Sequence, residues 1–242
     1  MVVLEHKSGY RLGAEESQVA AALDELGGPY QIASLSQVKR GRVSTVEASL
    51  VVGTIPFVQA ALRQKGRSLQ AEQTYPTVLS HLMRRQFRRT TLKAALELYE
   101  ARGVSMFVKP AVRAKRFTGL VLSSSTQWSL QGVSRNEKVW LVDPVVFACE
   151  WRLYVDRGVI LHMACYGGDS LLNIDLAVAQ EAIELLAGDP ELPKTYAIDF
   201  GVLDSGETAL VELNEAYGVG AYEMDNHVFL NFLQAGWDQI HK

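Results

Sequence analysis

Asp199, Glu212 and Asn214 lie within residues 196–218, YAIDFGVLDSGETALVELNEAYG, where strand-like runs flank the turn composition Asp204-Ser205-Gly206-Glu207. Pairing Leu203 with Thr208 across that turn sets Phe200 opposite Val211, Asp199 opposite Glu212 and Ala197 opposite Asn214. With a period of two, Glu212 and Asn214 share one face with Asp199. Like charges directly opposite on a sheet repel, so the Asp199/Glu212 pair requires a shared proton or a positive charge between them. A hard divalent cation meets that need, because Mg2+ takes a few carboxylate and amide oxygens and completes its shell with water and phosphate. A hydrated polar strand face is the alternative.

A second hairpin frames further polar residues. EWRLYV and VILHMACY flank Asp156-Arg157-Gly158, and a three-residue loop there pairs Val155 with Val159. That register sets Trp151 against Met163 and Cys149 against Cys165 on a core face, and Arg152 against His162 on the other. Glu150, Arg152 and His162 then share a polar face that is expected to line a cleft, or else to be solvated. In VSMFVKPAVRAKRFTG, Lys109 ends an apolar strand and Lys115 follows six residues on. Each offers a point charge for phosphate oxygens or, in the plainer reading, a snorkelling surface cation.

The elements that must position these groups follow from periodicity and punctuation. Residues 14–26, AEESQVAAALDEL, read as a helix with acidic residues in its first turn and GGP at its end. YQIAS and ASLVVG read as strands, and PFVQAALRQKG as a helix opening on Pro56. This alternation over residues 1 to about 66 predicts a small α/β layer. TVLSHLMRRQFRRTTLKAALELYEARG predicts one long helical segment closed by Gly103. Strands are expected at VSMFVKP, GLVLSSS and VWLVD as well as in the two hairpins, and a helix at DLAVAQEAIELLAG. No internal repeat or low-complexity segment is evident.

Composition narrows the function classes. With 242 residues, 48% of them hydrophobic, the chain can bury a substantial core. A formal charge of -3 argues against a general nucleic-acid or membrane-surface binder, and the RRQFRR cluster has no aromatic stripe to accompany it. No transmembrane-length apolar run or secretory signal is present, so the expected location is cytoplasmic. Two cysteines, Cys149 and Cys165, are too few for a disulfide framework or a zinc site of their own.

In order, FVKP, KRFTG, EWRLYV, YAIDFG and VELNEA resemble the ATP-grasp superfamily, and most closely its small bacterial and phage clade named for one arginine and two lysines. The resemblance covers residues 49–222, best after residue 104. It implies an α+β ATP-grasp fold: an N-terminal α/β layer at residues 1–75, then a body at 76–242 whose two α+β subdomains, 76–140 and 141–242, enclose a nucleotide cleft with antiparallel sheets. It further implies that Lys109 and Lys115 hold ATP phosphates, and that Glu212 and Asn214 bind Mg2+ or Mn2+ with Asp199 as third ligand or close support. Arg152 would face the γ-phosphate or an acyl-phosphate, with Glu150 beside it in the cleft. The VWLVD backbone at Val142 would meet adenine, and Arg85 would be the clade's arginine, although Arg84 and Arg88 compete for that place. The implied activity is ATP- and Mg2+-dependent joining of a small-molecule or peptide carboxylate to an amine through an acyl-phosphate. A phosphotransferase and a non-catalytic ATP-binding regulatory module are the alternatives. The glycine-poor stretch AVRAKRFTGLVL departs from the glycine-rich phosphate lid of many members.

Overall fold

The computed structural model describes residues 1–68, 74–112, 116–124 and 126–241. The chain opens with β1 (Val2–Glu5), α1 (Ala14–Leu26), β2 (Tyr30–Ala33), a short α2 (Leu35–Lys39), β3 (Leu50–Val52) and α3 (Ile55–Gln64). Their strands form a parallel sheet in the order β2-β1-β3. The alternation of strand and helix gives this layer, as its sequence implies, because parallel neighbours need a helical crossover.

The long helix expected from residue 77 is instead three elements. A 3-10 turn covers Thr77–Met83, followed by β4 (Phe87–Thr91) and α4 (Leu92–Arg102). Arg84 takes a left-handed backbone (φ 52°) that breaks any helix. The Thr91 hydroxyl then accepts from the Ala94 backbone N–H and starts a new one. The residues between pair with a strand partner, whose gain outweighs the helical propensity of the arginines.

β5 (Phe107–Pro110), β6 (Leu120–Val121) and β7 (Lys138–Val142) complete an antiparallel sheet in the order β4-β7-β5-β6. One face of it, with Val108, Val139 and Leu141, packs on Leu92, Ala95 and Leu96 of α4. β8 (Phe147–Asp156), β9 (Val159–Gly168), α5 (Leu176–Gly188), β10 (Thr195–Leu203), β11 (Thr208–Glu215) and α6 (Asn226–His241) follow. Their strands make a second antiparallel sheet, β11-β10-β8-β9. Leu153, Val155, Ile198 and Phe200 of this sheet bury against Ile183 and Leu186 of α5, which leaves the alternate residues of the same strands for the opposite face. The terminal helix α6 escapes a strand-centred reading of the tail. It packs Phe229, Phe232 and Trp237 into the core of the N-terminal layer.

Both hairpins correct the expected registers. Between β10 and β11 the turn is tighter by one: Val202 pairs with Thr208 and Phe200 with Leu210, and Gly206 (φ 85°) supplies the left-handed position such a loop needs. A bulge at Val211 restores the count, so Asp199 does face Glu212 and Ala197 does face Asn214. Between β8 and β9 the loop is Arg157-Gly158, both with positive φ, rather than three residues. That loop sets Val155 against Ile160, and a bulge at Leu161 shifts the count by one more, so Tyr154 pairs with His162, Arg152 with Ala164 and Trp151 with Cys165. Two-residue loops of this twist match the twist of the strands, which is why they win.

Candidate active site

The polar face of the second sheet and the outer face of the first close on a cleft of about 550 Å3, within the range of small-molecule sites. Lys109 and Phe107 line it from the first sheet and Gly119 from just before β6, Arg152, Glu212 and Asn214 from the second sheet, and Gly218, Gly220 and Tyr222 from the segment after β11.

Glu212, Asp199 and Arg152 lie side by side on β11, β10 and β8. Each carboxylate of the Asp199/Glu212 pair has a side-chain cation of its own. Arg152 grips Asp199 with two parallel bonds, Nε to Oδ1 and Nη2 to Oδ2, each 2.7 Å, and Lys109 pairs with Glu212 across the cleft. Asn214 Nδ2 donates to Asp199 Oδ2 at 3.2 Å, which leaves its amide oxygen as an acceptor. Asp199 is only 1% exposed. Burial pushes its carboxyl up to about 6 against the pull of Arg152, with Glu212 and Glu150 adding to the push. Burial alone would lower Arg152, yet its bond to Asp199 prevails and raises it. Burial also works to raise Glu212, and there Lys109 wins, leaving that carboxyl below its ordinary value.

Aromatic residues that the sequence reading passed over complete this wall. Tyr166 donates to Glu150 Oε2 at 2.9 Å, and its ring lies 5.5 Å from that of Tyr222 in a stack. Both rings flank the Arg152 guanidinium, at 5.4 Å and 5.5 Å. Tyr166 is two pleats from His162 on the same strand, so the period of two already puts it on that face. His162 serves as a prop: its Nε2 donates to the Tyr222 carbonyl at 3.0 Å. It holds a backbone in which Tyr222 and Glu223 both have positive φ. Tyr154 likewise donates to the Gly220 carbonyl.

Arg85 is engaged by backbone. Its guanidinium donates to the carbonyls of Met83 (2.9 Å), Leu210 (2.7 Å) and Val211 (3.1 Å), thereby gripping the β11 bulge. Val142 ends β7, buried between Phe87 and Phe107, just before the linker to β8. Lys115 lies outside the described residues. The structure thus brings Lys109, Glu150, Arg152, Asp199, Glu212 and Asn214 together. No cluster of three or more His, Cys, Asp or Glu with metal-holding geometry occurs among the described residues. Nor, among them, is any helix long and apolar enough to cross a membrane.

Residues 82–232 match the family model for the ATP-grasp domain of the clade named for one arginine and two lysines, family 2. The chain is an ATP-grasp protein of that clade. Its fold recurs in distant solved structures. D-cycloserine synthetase DcsG shares it at 14% identity, with 99% of this chain and 100% of that one covered and a TM-score of 0.63. A RimK-domain ATP-grasp protein from Sphaerobacter thermophilus DSM 20745 shares it at 16% identity, all of both chains covered, with a TM-score of 0.56. N5-carboxyaminoimidazole synthetase from Staphylococcus aureus shares it at 9% identity, over 97% of this chain and 77% of that one, with a TM-score of 0.52. At these identities the likeness is one of fold. Among curated proteins, none matches the sequence.

Proposed function

We propose that this ATP-grasp protein is an ATP- and Mg2+-dependent ligase that joins a carboxylate to an amine through an acyl-phosphate. The observation that carries the reading is the set of charges at one cleft: Lys109 against Glu212, and Arg152 backed by buried Asp199. Such a set suits a ligand that brings both negative phosphates and a positive ion. Solved relatives of the same fold are named as synthetases, which agrees with bond formation.

The donor set fits a hard cation. Glu212 offers a carboxylate and Asn214 an amide oxygen to the cleft, while Asp199, committed to Arg152, supports them from behind. Bound there, Mg2+ would neutralise charge that builds on the phosphates during transfer. Lys109 would exchange Glu212 for phosphate oxygens when nucleotide arrives, and Lys115 would add a second cation. The backbone at Val142 would meet adenine. Arg152, held by Asp199 and flanked by Tyr166 and Tyr222, presents a fixed positive charge to the transferred phosphoryl group. A substrate carboxylate oxygen attacks the γ-phosphorus and ADP leaves; the amine nitrogen then attacks the acyl carbon and inorganic phosphate leaves.

Incubation with ATP, Mg2+ and panels of acids and amines, read by ADP release and product mass, tests the reading. ADP, phosphate and a new amide are expected. A phosphorylated acid or alcohol as the final product would indicate a phosphotransferase, and nucleotide binding with no turnover on any panel a regulatory module.

A further inference from the structure

A second chamber, about 190 Å3, adjoins the nucleotide cleft, and the two share Gly218, Val219 and Gly220 as a wall. The rest of its lining comes largely from the N-terminal layer: Lys7, Glu15 and Glu16 near the start of α1, and Val52, Gly53 and Thr54 at the end of β3. Glu16 is the anomaly among them. It is 8% exposed, and among the described residues its carboxylate closes no ion pair and accepts no hydrogen bond from another residue. Burial pushes that carboxyl up, and its own backbone N–H pulls it back; neighbouring Glu15 and Glu5 add to the push, and Lys7 opposes it least of all. A buried carboxylate with no closed ion pair is costly and calls for a counter-charge. Glu5 does not share the need, since it accepts the Thr54 N–H at 2.7 Å. Glu15 extends the acidic surface to the shared wall: a methyl added at Gly220 would lie 3.5 Å from its Oε1.

We infer that this chamber binds a small molecule bearing a primary ammonium group, received by Glu16 and Glu15. Lys7, in the same lining, matches a carboxylate on the same ligand. With about 190 Å3 of open space the chamber suits a small ligand, and a small α-amino acid is the simplest member of the class. That this ligand is the amine substrate rests on the ligase reading above; that it binds here does not.

Amide NMR spectra of the full chain, titrated with glycine and with acetate as control, test the assignment, with and without Mg2+ and a non-hydrolysable ATP analogue. Glycine should shift the amides of residues 15–16, 53–54 and 218–220, and acetate should not. Glu16→Gln, or Glu15→Gln should the first variant not fold, should weaken the glycine response more than about tenfold while ATP-analogue binding is kept. Unmoved amides under all conditions, or a folded Glu16→Gln that answers glycine as the wild type does, would overturn it. Glycine shifts without any nucleotide binding would keep the chamber and sink the ligase reading instead.

Discussion

Arg152 and Asp199 behave as one unit, since each is buried and each would be unpaired without the other. Asp199→Ala should therefore cost about 3–5 kcal/mol in urea unfolding, and Asn214→Ala only about 1 kcal/mol. Equal costs would show that the bidentate pair is not what holds this wall. Lys109 sets a pH dependence of definite sign. Because it holds the folded Glu212 carboxyl below 4.5, the pair adds stability above that pH and loses it as pH falls through the folded value. In Lys109→Met burial is opposed only by the Asn214 hydrogen bond and the Arg152 charge, so the Glu212 carboxyl moves up and the stability it adds at high pH shrinks. Urea midpoints between pH 3 and 8, read as the difference between variant and wild type, should fall toward high pH; a flat difference would contradict the pairing. These residue-level roles were partly legible in sequence: like charges at facing strand positions called for a shared proton or a positive charge, but Arg152 comes from the neighbouring strand β8 and Lys109 from the other sheet, which the hairpin alone does not contain.

The β11 bulge decides whether those residues meet. The turn is tighter than its composition implied, and the one extra residue at Val211 returns Glu212 to Asp199. Two departures of opposite sense cancel, so the expected pair was right although the expected turn-end register was not. Periodicity cannot reveal a bulge, because it reports which face a residue takes and not how many residues oppose each other. Arg85 is the residue that stabilises this bulge. Arg85→Met should weaken Mg2+-dependent ATP binding although the side chain need not touch the ligand, and lower stability by about 1.5–3 kcal/mol. Normal affinity in that variant would assign the bulge to other contacts. The mistaken long helix has a different cause. Residues 84–91 suit a helix by propensity, yet pairing with β7 stabilises them as a strand, and that partner lies some 50 residues away.

Across the whole molecule, three cores divide the work. One unites the N-terminal layer with α6, one lies beneath the cleft-forming sheet, and one backs the sheet that carries Lys109. The overall fold was legible because alternation and motif order survive without knowledge of contacts, whereas α6 went unread because its partner layer lies at the other end of the chain. The Lys109–Glu212 pair joins the two cleft walls, so nucleotide that replaces it should tie them more firmly. Saturating ATP with Mg2+ is then expected to raise the thermal midpoint, by about 2.7 kcal/mol of added stability at a hundred times Kd. On the proposal above, Glu212 and its neighbours hold a metal-bound nucleotide. Calorimetric titration of ATP in Mg2+ and in EDTA, on the wild type and on Glu212→Gln with thermal melts alongside, tests it most directly. Binding that requires Mg2+ and is weakened by Glu212→Gln in a folded protein is the predicted result; a folded wild type that binds no ATP under either condition would contradict it.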